Sequence, residues 1–293
     1  MKHKAGFVSI VGKPNVGKST LMNHLVGERL SIITSKAQTT RHRILGIISG
    51  EDFQIIYSDT PGLITPKYKL QESMMGFVEN ALADSDIILM VTDIFEKRSE
   101  EELISLVRKM NKPTILVINK VDLADQEETN SKLAFWKESI PELKEVVPVS
   151  ALHQFNTEKV ISSILDNLPE HSAFFSKDEL TDKSQRFFAS EIIREKILLN
   201  YTEEVPYACE VVIIAFKDMD HIIRISAEIL VERDSQKAII IGKGGSMLKK
   251  VGTEARIDME TFFDKKVFLE QFVKVEPNWR KKNDKLARLG YLQ

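Results

Sequence analysis

Short apolar runs alternate with helical spacing along most of the first 168 residues. Phe7-Val8-Ser9-Ile10-Val11, Ile87 to Val91, Thr114 to Ile118 and Val146 to Val149 are apolar almost throughout, the pattern of strands buried on both faces. Ile44 to Ile48 and Phe53 to Tyr57 are shorter runs joined by Gly50-Glu51-Asp52, which predicts a hairpin. Helices are expected from Lys18 onward, over Leu70 to Ala83, Glu100 to Met110, Glu127 to Ser139 and Thr157 to Asn167. Strands separated by helices in this way predict a mostly parallel sheet with helices on both faces. Two segments, Ser31 to Arg41 and Asp59 to Lys69, are polar and read as loops.

Pro169 to Thr181 carries no sustained period, and beyond it the order changes. A helix is expected over Ser184 to Leu199, then strands over Ala208 to Phe216 and Ile222 to Val231, two short helices flanking Gly242-Lys243-Gly244-Gly245, and a strand over Val267 to Val275. The expected organisation is a first domain over 1–170, a linker over 171–183, a second domain over 184–276 and a tail over 277–293.

At 293 residues the length fits two domains. The chain is 43% hydrophobic and 29% charged, with no run apolar enough to span a bilayer, and a cytoplasmic protein is expected. Its single cysteine, Cys209, excludes an internal disulfide framework. The net charge of −2 hides a basic end, where Lys265 to Gln293 holds eight Lys/Arg against three Asp/Glu.

Candidate chemistry begins directly behind the first strand, at Gly12-Lys13-Pro14-Asn15-Val16-Gly17-Lys18-Ser19, followed by Thr20. Two glycines let the backbone turn and aim its N–H groups inward, and the following helix adds its positive end, so polyphosphate is the expected guest. Lys18 is placed on the β- and γ-phosphates and Ser19 on Mg²⁺. Asp59-Thr60-Pro61-Gly62, behind another strand, supplies a carboxylate for Mg²⁺ and a backbone N–H at Gly62 for the γ-phosphate. Asn119-Lys120-Val121-Asp122 selects the base: Asp122 accepts from the N1–H and exocyclic amine of guanine, and adenine would leave it unpaired. Asn119 braces the site and the stem of Lys120 lies along the base. Ser150-Ala151-Leu152 follows the next strand and offers a backbone contact to the guanine oxygen.

Together these motifs resemble Ras-like GTPases of the translation-factor class, over residues 5 to 168. The resemblance implies an α/β P-loop GTPase domain that binds GTP or GDP with Mg²⁺. It makes Ser31 to Arg41 the first switch, with Thr40 as the Mg²⁺ threonine and Thr39 as the alternative, and Asp59 to about Lys69 the second. Ser19, Thr40 and Asp59 are then the metal set. Leu63 stands where a Ras-like enzyme has its water-orienting glutamine. Relatives with an apolar residue there work by other means, and several use K⁺ held by a loop asparagine, which implies slow hydrolysis stimulated by K⁺ and a role for Asn15 beside Lys18, Thr40 and Gly62.

Ile241-Gly242-Lys243-Gly244-Gly245, with Lys249 and Lys250 behind it, can clamp a single-stranded nucleic-acid backbone between two helices. The surrounding element order resembles a type II KH domain of the α+β class. Arg280 and Lys281 in the basic tail are expected to engage phosphates, while Trp279 and Tyr291 are expected to anchor the tail, with base stacking as the alternative. As a whole the chain resembles the Era family of bacterial GTPases. That implies binding to the 3′ end of small-subunit ribosomal RNA during ribosome biogenesis, and peripheral membrane association, although the chain has no lipidation motif or obvious amphipathic anchor. Two rival readings are a small-molecule kinase, which the guanine motif opposes, and a constitutive RNA-binding module whose nucleotide is only structural.

Overall fold

The apolar runs of the first half become the centre of a six-stranded sheet. The structure, a computed structural model, describes residues 3–96, 104–105 and 108–292. Its strands are β1 (Lys4–Val11), β2 (Ile44–Ser49), β3 (Phe53–Asp59), β4 (Ile87–Asp93), β5 (Thr114–Asn119) and β6 (Glu145–Pro148), in the spatial order β2-β3-β1-β4-β5-β6. Only the β2–β3 hairpin is antiparallel among these pairs. Every residue of β5 is buried, as expected for a strand covered on both faces.

The helices whose full extent lies within the described residues of this half are α1 (Lys18–Val26), α2 (Lys69–Asp84), α3 (Gln126–Ser139) and α4 (Thr157–Asn167). Val78 and Leu82 of α2 pack on Val11 and Ile88, and Trp136 of α3 packs on Leu116 and Ile118. Asp125 caps α3 by accepting from Glu128 N at 2.8 Å. The helix expected over Glu100 to Met110 lies partly outside the described residues; 104–105 and 108–110 are helical.

The chain divides into two compact units. The first comprises Met1–Ser31, Thr40–Thr65 and Met74–Asp182, and the second comprises Ile32–Thr39, Pro66–Ser73 and Lys183–Gln293. In the second unit α5 (Gln185–Asn200), β7 (Glu210–Asp218), β8 (Ile222–Val231), α6 (Asp234–Ile241), α7 (Ser246–Phe263) and β9 (Lys266–Val275) follow the expected order, and a short α8 (Asn283–Arg288) ends it. β8 is antiparallel to β7 and parallel to β9. Isoleucines 192, 193 and 197 of α5 share one core with Val251, Ala255 and Met259 of α7.

One expectation needs correction here. The helix after the glycine loop is not short but runs 18 residues, because Val251, Ala255 and Met259 repeat at four-residue spacing and bury one stripe through its middle. Among the described residues no helix is long and apolar enough to cross a membrane.

Candidate nucleotide and nucleic-acid sites

The nucleotide motifs meet at the carboxyl ends of β1, β3, β5 and β6, where ligands bind in open α/β sheets. Gly17 takes φ 93°, and a Cβ there would stand 2.2 Å from Asn119 Nδ2, so only glycine lets the phosphate loop close on the base motif. Asn119 joins three segments: its Nδ2 donates to Val16 O at 2.8 Å, and its Oδ1 accepts from Ala151 N at 2.9 Å. Gly62 packs against the loop from the other side, where a Cβ would lie 2.7 Å from Pro14 N. Leu63 N donates to Gly12 O at 3.0 Å, while the Leu63 side chain packs against the apolar clusters on that face of the sheet. Thr60 Oγ1 donates to Ile10 O at 2.8 Å.

Lys18 is 6% exposed and donates to Lys13 O at 2.7 Å. Burial lowers its pKa to about 8, with the nearby Asp59 charge pulling the other way. Asp59 is fully buried, and desolvation pushes its carboxyl above the usual range despite hydroxyl donors. Those donors converge on one oxygen. Ser19 Oγ reaches Asp59 Oδ2 at 2.7 Å, Ser31 Oγ at 2.8 Å and Thr40 Oγ1 at 3.3 Å, and Ser19 and Thr40 lie 2.9 Å apart. Asp59 Oδ1 is buried with no hydrogen-bond partner. Thr39 is held elsewhere, its hydroxyl 2.6 Å from that of Thr34 and its carbonyl accepting from Arg194.

At the base motif Lys120 takes φ 63° and pairs with Asp93 at 2.8 Å. Val121 N donates to Val149 O at 3.2 Å. Asp122 has His153 Nε2 at 3.8 Å. Leu152 is 70% exposed, and Ser150 and Phe155 bridge the loop by two backbone hydrogen bonds. Lys13 pairs with Glu96 at 2.8 Å. Asn15 is exposed at the tip of the loop, with φ 64°. Ser31, Asp93 and Glu96 were not among the motif residues, since each contacts the site from a position with no distinguishing neighbours in sequence.

In the second unit the glycine loop joins α6 to α7. A groove of about 380 Å³ opens beside it, lined by Gly245, Leu248 and Lys249, then Arg256 further along α7, and Leu269 and Gln271 across on β9. Gly242 and Gly244 form the turn between Ile241 and Gly245, and Lys243 is exposed at it. Lys250 points to Glu254 at 3.9 Å. Arg280 is engaged within its own unit: it pairs with Glu232, and its guanidinium lies 5.0 Å from the Tyr68 ring centroid. Lys281 is exposed. Trp279 is fully buried and donates to Ala208 O at 2.9 Å, and Tyr291 donates to Glu210 at 2.6 Å, so both aromatics anchor the tail.

Comparison with known proteins adds the context of both sites. Residues 7–120 match the family described as 50S ribosome-binding GTPase, and residues 204–280 match the KH domain family. GTPase Era of Staphylococcus haemolyticus is 41% identical over 295 residues, covering 100% of this chain and 98% of that protein. A crystal structure of Era in complex with MgGDPNP and nucleotides 1506–1542 of 16S ribosomal RNA is 40% identical with TM-score 0.95, covering 99% of this chain and 100% of that one. An Aquifex aeolicus Era variant bound to GDP·AlF4⁻ is 41% identical with the same TM-score and coverage.

Proposed function

The chain belongs to the Era family of GTPases, and from that premise we propose that it binds GTP with Mg²⁺ at the phosphate loop, hydrolyses it, and carries single-stranded RNA on its KH domain. The RNA we assign is the 3′ end of small-subunit ribosomal RNA, during assembly of that subunit in the cytoplasm. One observation carries the nucleotide half of this reading: three hydroxyls converge on Asp59 Oδ2 while Oδ1 is buried without a partner. A buried carboxylate oxygen left unpaired costs free energy, and a divalent cation near it offsets that cost.

The residues therefore fit Mg²⁺, with Ser19 and Thr40 as ligands and Asp59 held close by; when bound, Mg²⁺ neutralises charge on the β- and γ-phosphates. Thr40 rather than Thr39 is assigned to the metal, because its hydroxyl stands with Ser19 and Asp59. Lys18 contacts the phosphates, the Gly62 N–H donates to the γ-phosphate, and Asp122 selects guanine with Asn119 bracing it. The first switch is Ser31 to Arg41 and the second starts at Asp59; both report the γ-phosphate. Leu63 is packed away from the reaction, so Asn15 is assigned to a K⁺ that speeds hydrolysis.

The family description names the large subunit, but it covers only residues 7–120. The full-length relative with RNA carries the small-subunit molecule. We give that relative more weight because it includes the KH domain. Crosslinking the GTP- and GDP-bound chain to cellular RNA tests the assignment: contacts should gather at the 3′ end of small-subunit ribosomal RNA, and contacts scattered over other RNAs would refute it.

A further inference from the structure

Ser31 opens the segment assigned to the first switch and lies outside the phosphate, Mg²⁺ and base motifs, yet it is 1% exposed and its hydroxyl donates to Asp59 Oδ2 at 2.8 Å. Its backbone is gripped from both sides by Asn23 of α1. The Ser31 N–H donates to Asn23 Oδ1 at 2.9 Å, its carbonyl accepts from Asn23 Nδ2 at 2.7 Å, and Leu30 N donates to the same Oδ1 at 3.1 Å. Asn23 is itself buried on the first helix behind the phosphate loop. A side-chain amide that satisfies both polar backbone groups of one residue fixes that residue's position. The Ser31 hydroxyl is thus held at a set place beside the carboxylate.

The two other hydroxyls on Asp59 belong to residues assigned to the metal itself. Ser31 is the remaining donor, and it comes from a rigid brace. We propose that Ser31, fixed by Asn23, is a positioning residue for Mg²⁺: it secures one oxygen of Asp59 so that the other, buried and without a partner, is kept for the metal site. A carboxylate held in one orientation before the metal arrives gives up less freedom when the site fills, and groups of this outer kind commonly alter metal affinity 10- to 100-fold. The proposal rests on the Mg²⁺ reading above.

The test uses the full chain loaded with a fluorescent GDP, following nucleotide release across a Mg²⁺ titration and in EDTA. Ser31→Ala is expected to raise the half-saturating Mg²⁺ concentration about tenfold, with release in EDTA unchanged. A parental Mg²⁺ requirement, or release accelerated equally with and without Mg²⁺, would overturn the proposal. Ser19→Ala separates the two levels. If it too leaves the Mg²⁺ requirement unchanged, the metal reading itself fails; if it shifts the requirement and Ser31→Ala does not, only the role of Ser31 fails. Should Ser31→Ala not fold, Ser31→Cys, which fills the same space but donates only weakly, carries the same test with a shift in the same direction.

Discussion

Lys18 makes the charge state of the phosphate loop a measurable quantity. Burial holds its pKa near 8, against an ordinary value of 10.5. That depression corresponds to about 3 kcal/mol against the ammonium form in the nucleotide-free protein. Between pH 8 and 10.5 the unfolded chain binds this proton more than the folded one, so this group makes the empty protein more stable as pH rises through that window. Polyphosphate reverses the balance by favouring the charged form. Nucleotide binding above pH 8 must therefore take up a proton on Lys18, and affinity should fall by up to about tenfold per pH unit.

The assay is GDP affinity in EDTA, without Mg²⁺, from pH 6.5 to 9.5. The parent should be nearly flat below pH 7.5 and decline above 8. Lys18→Met, which does not titrate, should bind weakly throughout and lose the extra decline. Titration of guanine itself is common to both proteins and cancels in the comparison. Equal pH profiles for parent and variant would refute the reasoning that burial controls this lysine.

Other consequences are separable. Asp122→Asn should shift preference from guanine toward xanthine nucleotides in competition binding, because the amide pairs with a base oxygen where the carboxylate accepted from an N–H; retained guanine preference would contradict the base assignment. Hydrolysis should be faster in K⁺ than in Na⁺, and Asn15→Ala should erase the difference; equal parental rates in the two salts would remove the cation from the mechanism. Gly244→Asp should weaken RNA binding at least tenfold by setting a carboxylate against phosphates. The fold should tolerate it, since no atom lies within 4 Å of the new Cβ and aspartate accepts φ 59° better than most residues. RNA binding at the parental level in that variant would sink the account of the second site.

The parts of the molecule that were legible in the sequence share one physical property: their residues are contiguous. Gly12 to Ser19, Asp59 to Gly62 and Asn119 to Asp122 each hang from the end of a buried strand, so the strand pattern was enough to bring them to one end of the sheet. Ser31 was not legible as a site residue, because its contact with Asp59 depends on Asn23 drawing the chain back after α1; Gly27 marks the end of that helix, but nothing from Glu28 to Leu30 says where the chain returns. Arg256 and Gln271 escaped for a related reason. The groove they line is made by one face of α7 and the inward face of β9, and only the alternation of that strand separates Leu269 and Gln271 from the exposed Phe268 and Phe272. The length of α7 was underestimated because the glycine loop drew the boundary, while the apolar stripe that sustains the helix lies further along. Arg280 reads in the sequence as one more cation of a basic tail, and only the structure reveals its pairing with Glu232.

If the two switches report the γ-phosphate to the rest of the chain, the state of the nucleotide governs RNA binding, and one titration tests this most directly. A fluorescent oligonucleotide with the 3′-terminal sequence of small-subunit ribosomal RNA is titrated with the full chain bound to a non-hydrolysable GTP analogue, to GDP, or to no nucleotide. The account predicts affinities that differ between the analogue and GDP by at least tenfold, a coupling of about 1.4 kcal/mol. Equal affinity in all three states would contradict it and leave an RNA-binding protein whose nucleotide is only structural.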